Sequence, residues 1–269
     1  MKRILYFISF TTIIALGGCK KQFSDQPYTK VIGHGGAGYD MWYPPNTAQA
    51  IYKGFEQGAD GFEIDVQLSS DHHLVAFHDS YLTAKTDANQ YIYELDSNEI
   101  SKIVIDYYNF GKFKITFIDN LLKGLKQDGS PIFLDCKINY PPELSYEDYI
   151  ELFSSQIVKL ITKYPEYKFI TETRNIHFLR KVKTKLPNAI IFYNPPDYED
   201  GIQTVSDNNF QGLSISSELI TAEQVKNAQS AGIEISLFGC SSKIKNRKAL
   251  AKAPDYIQTD KVKHLRSLL

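Results

Sequence analysis

Two carboxylates stand two residues apart in Gly61-Phe62-Glu63-Ile64-Asp65-Val66. On a β-strand such positions share a face, so Glu63 and Asp65 point one way while Phe62, Ile64 and Val66 point the other. Like charges this close repel, and burying either without a partner costs several kcal/mol. A bound cation resolves the conflict most simply. Leu134-Asp135-Cys136-Lys137 repeats the pattern, with Asp135 and Lys137 on one face. Asp135 is a third candidate oxygen ligand, and Lys137 either neutralises phosphate oxygens or pairs with Asp135. An all-oxygen set favours one hard divalent cation, Mg²⁺ or Ca²⁺, over zinc, since no histidine or cysteine cluster has zinc spacing.

Two histidines add proton chemistry. His34 follows the apolar run Val31-Ile32-Gly33, and His78 closes Ala76-Phe77-His78. At the carboxyl ends of strands they would face the same mouth as the acids, as a proton donor and acceptor near neutral pH. The glycines around His34, including Gly35 and Gly36, would let backbone amides approach an anion. His72, His73, His177 and His264 lie in polar or helical contexts and receive no role.

These residues need a frame. From Lys30 onward, short β-rich runs alternate with amphipathic stretches, the pattern of an α/β domain on a mostly parallel sheet. Eight strands are expected, at 30–33, 61–66, 74–78, 132–138, 168–171, 189–193, 211–215 and 233–238. Helices are expected at 47–57, 118–127, 146–164, 174–186, 221–231 and 243–251. Eight strands with interleaved helices predict a (β/α)8 TIM barrel, slightly irregular. The Val66–Leu74 link is too short for a crossover helix, so it runs extended or the two strands are not simply parallel. Residues 81–116, long, polar and rich in tyrosine, read as an insertion after the third strand, beside the mouth.

The composition agrees. The 269 residues are 43% hydrophobic and 13% aromatic, enough for a sizeable core and too apolar for general disorder. With 30 basic and 31 acidic residues, no positive excess exists to hold a nucleic-acid backbone. No internal repeat suggests a solenoid, and no protein partner is evident.

At the amino end, Met1-Lys2-Arg3 precedes an apolar run from Ile4 to Leu16, which closes on Leu16-Gly17-Gly18-Cys19. The run is shorter than the roughly 20 residues that span a bilayer. It resembles a bacterial lipoprotein signal. The resemblance implies a signal peptide over 1–18, an acylated Cys19, a polar tether over 19–29 and the barrel domain over 30–269. An exported lipoprotein, anchored to the membrane on the periplasmic or cell-surface side, is then expected. Cys136 and Cys240, in apolar strand contexts, read as packed thiols rather than a disulfide.

The motifs together resemble the glycerophosphodiester phosphodiesterase family of metal-dependent, barrel-shaped phosphodiesterases. Its opening His-Arg-Gly and Pro-Glu-Asn-Thr are answered by His34-Gly35-Gly36 and Pro44-Pro45-Asn46-Thr47. Its Gly-Ala-Asp, Glu-x-Asp-Val and histidine-aspartate pair are answered by Gly58-Ala59-Asp60, Glu63-Ile64-Asp65-Val66 and His78-Asp79. Leu134-Asp135-Cys136-Lys137 and Thr259-Asp260 complete the order. The resemblance implies a phosphoric diester hydrolase that releases glycerol 3-phosphate and an alcohol. Glu63, Asp65 and Asp135 would hold the metal, His34 and His78 would be the acid-base pair, and Lys137, Asn46 and Gly35 would contact substrate. The chain departs from the family at Gly35, usually arginine, Pro45, usually glutamate, Asp135, usually the longer glutamate, and Phe238, usually tryptophan. Arg174 or Lys85 could restore positive charge from a loop. Two rival readings stay open: a lipid-anchored barrel that binds phosphorylated ligands without turnover, and a phospholipase-like enzyme acting on intact lipid.

Overall fold

The computed structural model describes residues 28–39, 42–82, 86–107, 110–126 and 129–269, so the expected signal peptide over 1–18, Cys19 and Lys85 lie outside the described residues. The strands are β1 (Lys30–Gly33), β2 (Gly61–Leu68), β3 (Leu74–Ala76), β4 (Val104–Asp106), β5 (Lys112–Lys114), β6 (Thr116–Phe117), β7 (Pro131–Cys136), β8 (Lys168–Thr173), β9 (Ile190–Tyr193), β10 (Gly212–Ser216), β11 (Glu234–Cys240) and β12 (Tyr256–Thr259). The helices are α1 (Ala48–Glu56), α2 (Ser97–Lys102), α3 (Ile118–Gly124), α4 (Tyr146–Lys163), α5 (Ile176–Lys185), α6 (Tyr198–Asn208), α7 (Ala222–Ser230), α8 (Lys243–Leu250) and α9 (Val262–Arg266).

Eight strands close a parallel barrel in the order β1, β2, β7, β8, β9, β10, β11, β12, and β12 returns to β1. Leu74 onward is not one of them. The short link from β2 folds back as a hairpin, so β3 pairs antiparallel with β2, Val66 opposite Ala76 and Leu68 opposite Leu74. The eighth barrel strand is β12, four residues long and half polar, which apolar patterning does not mark. Helix α6 is likewise unmarked by that pattern; Asp197 caps it by accepting from the Asp200 amide, and Asn209 ends it in a left-handed conformation.

Period-two alternation sorts the side chains. On β7, Ile132, Leu134 and Cys136 face outward into the main apolar core with Tyr149, Ile150, Phe153 and Ile157 of α4. Phe133 points inward and joins Ile32, Ile170, Phe192 and Tyr256 as the barrel floor. Three of these rings, Phe133, Phe192 and Tyr256, meet edge to face, with centroids 5.1–5.9 Å apart. The floor excludes water from below and leaves the polar side chains of the next layer to face the mouth.

The insertion is folded in its own right. Ile92, Leu95, Ile100, Ile105, Tyr107 and Phe113 pack with Val75 and Phe77 into a second apolar cluster, and β4 pairs with β5. Trp42 touches Phe110 edge to face at 4.8 Å, which ties the β1–α1 loop to this lobe. Cys136 and Cys240 are buried free thiols. Among the described residues no helix is long and apolar enough to cross a membrane.

Candidate metal centre and active site

The register of three adjacent strands sets the acids in a row. Asp65 on β2 lies beside Asp135 on β7, which lies beside Glu172 on β8, and Glu63 sits two residues below Asp65. Glu63, Asp65 and Asp135 each present an oxygen within 4.8 Å of the others. One Glu63 oxygen accepts from the Gly35 amide at 2.9 Å, while Oε1 is buried with no hydrogen-bond partner among the described residues. Burial first, and then the charge of Asp65, raise the Glu63 carboxyl well above its ordinary range; burial likewise raises Asp135. An orphaned carboxylate oxygen within a buried, all-oxygen donor set fits a hard divalent cation.

Asn46 and Lys137 hold this set in place. Asn46 Nδ2 donates to Asp65 Oδ2 at 2.7 Å, and Asn46 Oδ1 accepts from the Asp65 amide at 2.9 Å. Asn46, expected at the substrate and set in a left-handed backbone conformation (φ 67°), uses both ends of its amide to hold a candidate ligand. Lys137 Nζ lies 2.8 Å from Asp65 Oδ1 and 2.6 Å from Asp135 Oδ2, so it pairs with both acids. Burial opposes its charge, but Asp135 and Asp65 outweigh burial and raise its pKa. Gly35, also expected at the substrate, has its amide turned to Glu63.

Asn46→Ala should therefore lower stability by about 3 kcal/mol, through two lost bonds to a buried carboxylate and an alanine held at positive φ. Asn46→Gly, free of the backbone strain, should lose less. Denaturant melts of the two variants check this, and equal losses would place the whole effect in the amide.

His34 follows β1, and its Nδ1 lies 2.6 Å from Asp260 Oδ1, beyond the end of β12. Gly38 makes this approach possible: at φ 74° a Cβ there would stand 2.2 Å from Asp260 Cα. Nε2 is thereby left toward the acids, 3.8 Å from Glu63 Oε2. Burial disfavours the imidazolium, yet the Asp260 hydrogen bond and the carboxylates of Glu63, Asp260 and Asp65 outweigh it and raise its pKa to about 9. His78 reaches the mouth by the antiparallel route. Strand β2 overshoots the rim, β3 descends beside it, and the Phe77 amide meets the Asp65 carbonyl at 3.1 Å. His78 Nδ1 lies 2.7 Å from Asp79 Oδ1, and its charge acts on Asp135.

Three further residues complete the site. Asp260, marked in the sequence by the Thr259-Asp260 motif but with no role assigned, orients His34. Glu172 lies one residue beyond the expected end of its strand. Burial, with the charge of Asp135, pushes its carboxyl up to about 8, against the hydrogen bonds of Ser214 and Gln258. Gln258 Nε2 lies 2.9 and 3.1 Å from the two Glu172 oxygens and 3.2 Å from Ser214 and Ser236, forming the polar layer above the aromatic floor.

These shifts give a signed pH dependence. His34, raised from 6.5 to about 9, holds a proton in the fold that the unfolded chain releases, so its stabilisation is full below pH 6.5 and lost as pH rises through 9. Glu172, raised from 4.5 to about 8, has the same sign over that lower window. With chelator present, Tm should fall between pH 6.5 and 9, and a divalent cation should flatten the decline by compensating the carboxylate charge. Thermal melts at stepped pH measure it, and a flat profile in chelator would contradict it.

Comparison with known proteins agrees with this geometry. The pattern of the "Glycerophosphoryl diester phosphodiesterase family" matches residues 34–264. A glycerophosphodiester phosphodiesterase of Caldanaerobacter subterraneus subsp. tengcongensis is 32% identical over 61% of this chain and 65% of its own length. The match thus spans less than two thirds of that relative's length. Among solved structures, an Oleispira antarctica phosphodiesterase in complex with the product sn-glycerol-3-phosphate is similar with a TM-score of 0.75 and 22% identity, over 88% of this chain and 95% of that one. The glycerophosphodiester phosphodiesterase of Thermotoga maritima is similar with a TM-score of 0.70 and 20% identity, over 90% and 99%. At these identities the structures establish the shared barrel, and the sequence pattern, which starts at His34 and encloses every acid of the site, establishes more: this chain belongs to the glycerophosphoryl diester phosphodiesterase family.

Proposed function

We propose that this protein is a metal-dependent phosphodiesterase that hydrolyses glycerophosphodiesters to glycerol 3-phosphate and an alcohol. The observation that carries the reading is the converging triad Glu63, Asp65 and Asp135, with a buried oxygen lacking a partner, between two histidines at a barrel mouth. Membership of the family supports it, as does the product held by the similar Oleispira phosphodiesterase.

Glu63, Asp65 and Asp135 would hold one divalent cation, Mg²⁺ or Ca²⁺. When bound, it polarises the phosphoryl group and offsets the charge of the transition state. The protein's own groups do the rest. Asn46 and Lys137 fix the Asp65 carboxylate, and Lys137 also pairs with Asp135. His34, with Nδ1 on Asp260, and His78, with Nδ1 on Asp79, each leave Nε2 free for proton transfer. One takes the proton of the nucleophile and the other gives one to the leaving alcohol. The aromatic floor keeps bulk water from the acids, which strengthens each electrostatic contact.

The reading extends to an exported lipoprotein anchored through acylated Cys19, which would place the mouth near lipid-derived diesters. The basic start, apolar run and small residues before Cys19 support it. Mass spectrometry of the membrane-extracted chain would find Cys19 as the acylated first residue; an intact Met1 would refute it.

The full chain should release glycerol 3-phosphate from glycerophosphocholine or glycerophosphoethanolamine with Mg²⁺ or Ca²⁺ and none in chelator. Cation binding without turnover of any diester, a chromogenic one included, would instead assign a binding protein. Faster turnover of intact phospholipid vesicles than of soluble diesters would assign a phospholipase-like activity.

A further inference from the structure

A phosphodiester is an anion, and this mouth is not hospitable to one. Glu63, Asp65, Asp135, Glu172 and Asp260 outnumber the cationic groups beside them. Lys137 is already paired with two carboxylates, and His34 with Asp260. Gly35, next to His34, has no side chain and cannot readily gain one. Its φ is 56°, and a Cβ there would lie 2.6 Å from Pro45 Cβ. Positive charge beyond that of a cation on the triad would have to come from another wall.

Beside the acids opens a cavity of 470 Å³, walled by Asp135, Lys137, Thr173, Arg174, Asn175 and Asn194. Two of its groups lack partners, and their demands are opposite. Arg174, just past β8, is exposed and makes no hydrogen bond or ion pair with any described residue. Asn194, just past β9, buries its Oδ1 with no hydrogen-bond partner among the described residues. The Asn194 amide donates to the Thr173 carbonyl at 3.1 Å, which holds the two strand ends side by side. A planar five-donor fork and a buried acceptor on adjacent strand ends match a phosphate with a hydroxyl a few bonds away.

We propose that this cavity receives the glycerol-phosphate half of the diester, with Arg174 donating to phosphoryl oxygens and Asn194 Oδ1 accepting from a glycerol hydroxyl. The inference rests on the phosphodiesterase reading and fixes which half of the substrate lies over β8 and β9. The other half, with its variable alcohol, then leaves on the side of Tyr39, whose ring lies 5.8 Å from that of His34.

The test measures binding of glycerol 3-phosphate and of inorganic phosphate to the full chain with Mg²⁺ by calorimetry. Kinetics on glycerophosphoethanolamine and on bis(p-nitrophenyl) phosphate, which lacks glycerol, run beside it, and circular dichroism confirms that each variant is folded. Arg174→Ala should weaken both ligands about tenfold or more and raise KM for both diesters, and Arg174→Lys should recover part of the loss. Asn194→Leu should weaken glycerol 3-phosphate by about tenfold while inorganic phosphate and the nitrophenyl diester stay within about twofold. Arg174→Ala that binds and turns over like the parent overturns the proposal and leaves the phosphodiesterase reading standing. Equal losses on both ligands in Asn194→Leu overturn the hydroxyl contact. A parent that binds glycerol 3-phosphate through Arg174 but cleaves neither diester overturns the activity and keeps the subsite. A parent that neither binds nor cleaves overturns both.

Discussion

Glu63→Gln should remove diester hydrolysis almost entirely, by about 10³-fold in kcat/KM, while leaving the fold more stable in chelator. The substitution keeps shape and the contact with the Gly35 amide, so what is lost is one negative charge and one ligand oxygen. Charge stabilisation by a cation contributes several kcal/mol to the barrier, and each ~1.4 kcal/mol is tenfold in rate. The opposite sign in stability follows from the same environment. Glu63 is 2% exposed, and burial together with Asp65 already drives its carboxyl toward the neutral form. A neutral amide avoids that repulsion, most of all at pH 9, where the parent acid is most ionised. Paired assays check it: turnover with Mg²⁺ or Ca²⁺, and Tm with chelator at pH 6.5 and 9. A variant that loses activity and also stability in chelator would show that Glu63 is a structural acid.

His34→Asn should cost about 10³-fold in kcat, within the range that a positioned proton-transfer group contributes. Unlike Glu63→Gln, it should keep the rise in Tm that a divalent cation produces, because the triad Glu63, Asp65 and Asp135 is intact. Asp260→Asn provides the graded control. The imidazole remains, but the carboxylate that does most to raise its pKa is gone, so the pH-rate limb that reports His34 should move to lower pH with a smaller loss of kcat. A pH-rate profile unchanged in Asp260→Asn would contradict a positioning role for Asp260, and full activity in His34→Asn would remove His34 from the chemistry.

Much of this site is legible without coordinates because its logic is local. Glu63 and Asp65 share a strand face by period alone, as do Asp135 and Lys137, and the structure places all four at one mouth. Patterning also locates seven of the eight barrel strands. It fails where an element lacks an apolar signature. β12 carries Gln258 and Thr259 in four residues, and α6 is polar enough to pass for a loop. At Leu74–Ala76 it locates a strand and leaves its direction open; the hairpin turn of the preceding link makes the pairing antiparallel, which puts the strand outside the barrel's eight.

Alternation and short motifs act over a few residues, so the chain alone points to the barrel class, to the acids of the cluster and to two histidines at strand ends. Tertiary structure alone decided how those groups are held and supplied. Asp260 reaches His34 across 226 positions only because β12 closes on β1. Asn46 clamps Asp65, Glu172 meets Gln258, and Gly35 is fixed against Pro45 through contacts made when the barrel closes and its loops fold over the mouth. Such contacts join residues far apart in the chain, and no local periodicity records them; they arise from strand register and the packing of loops over the rim.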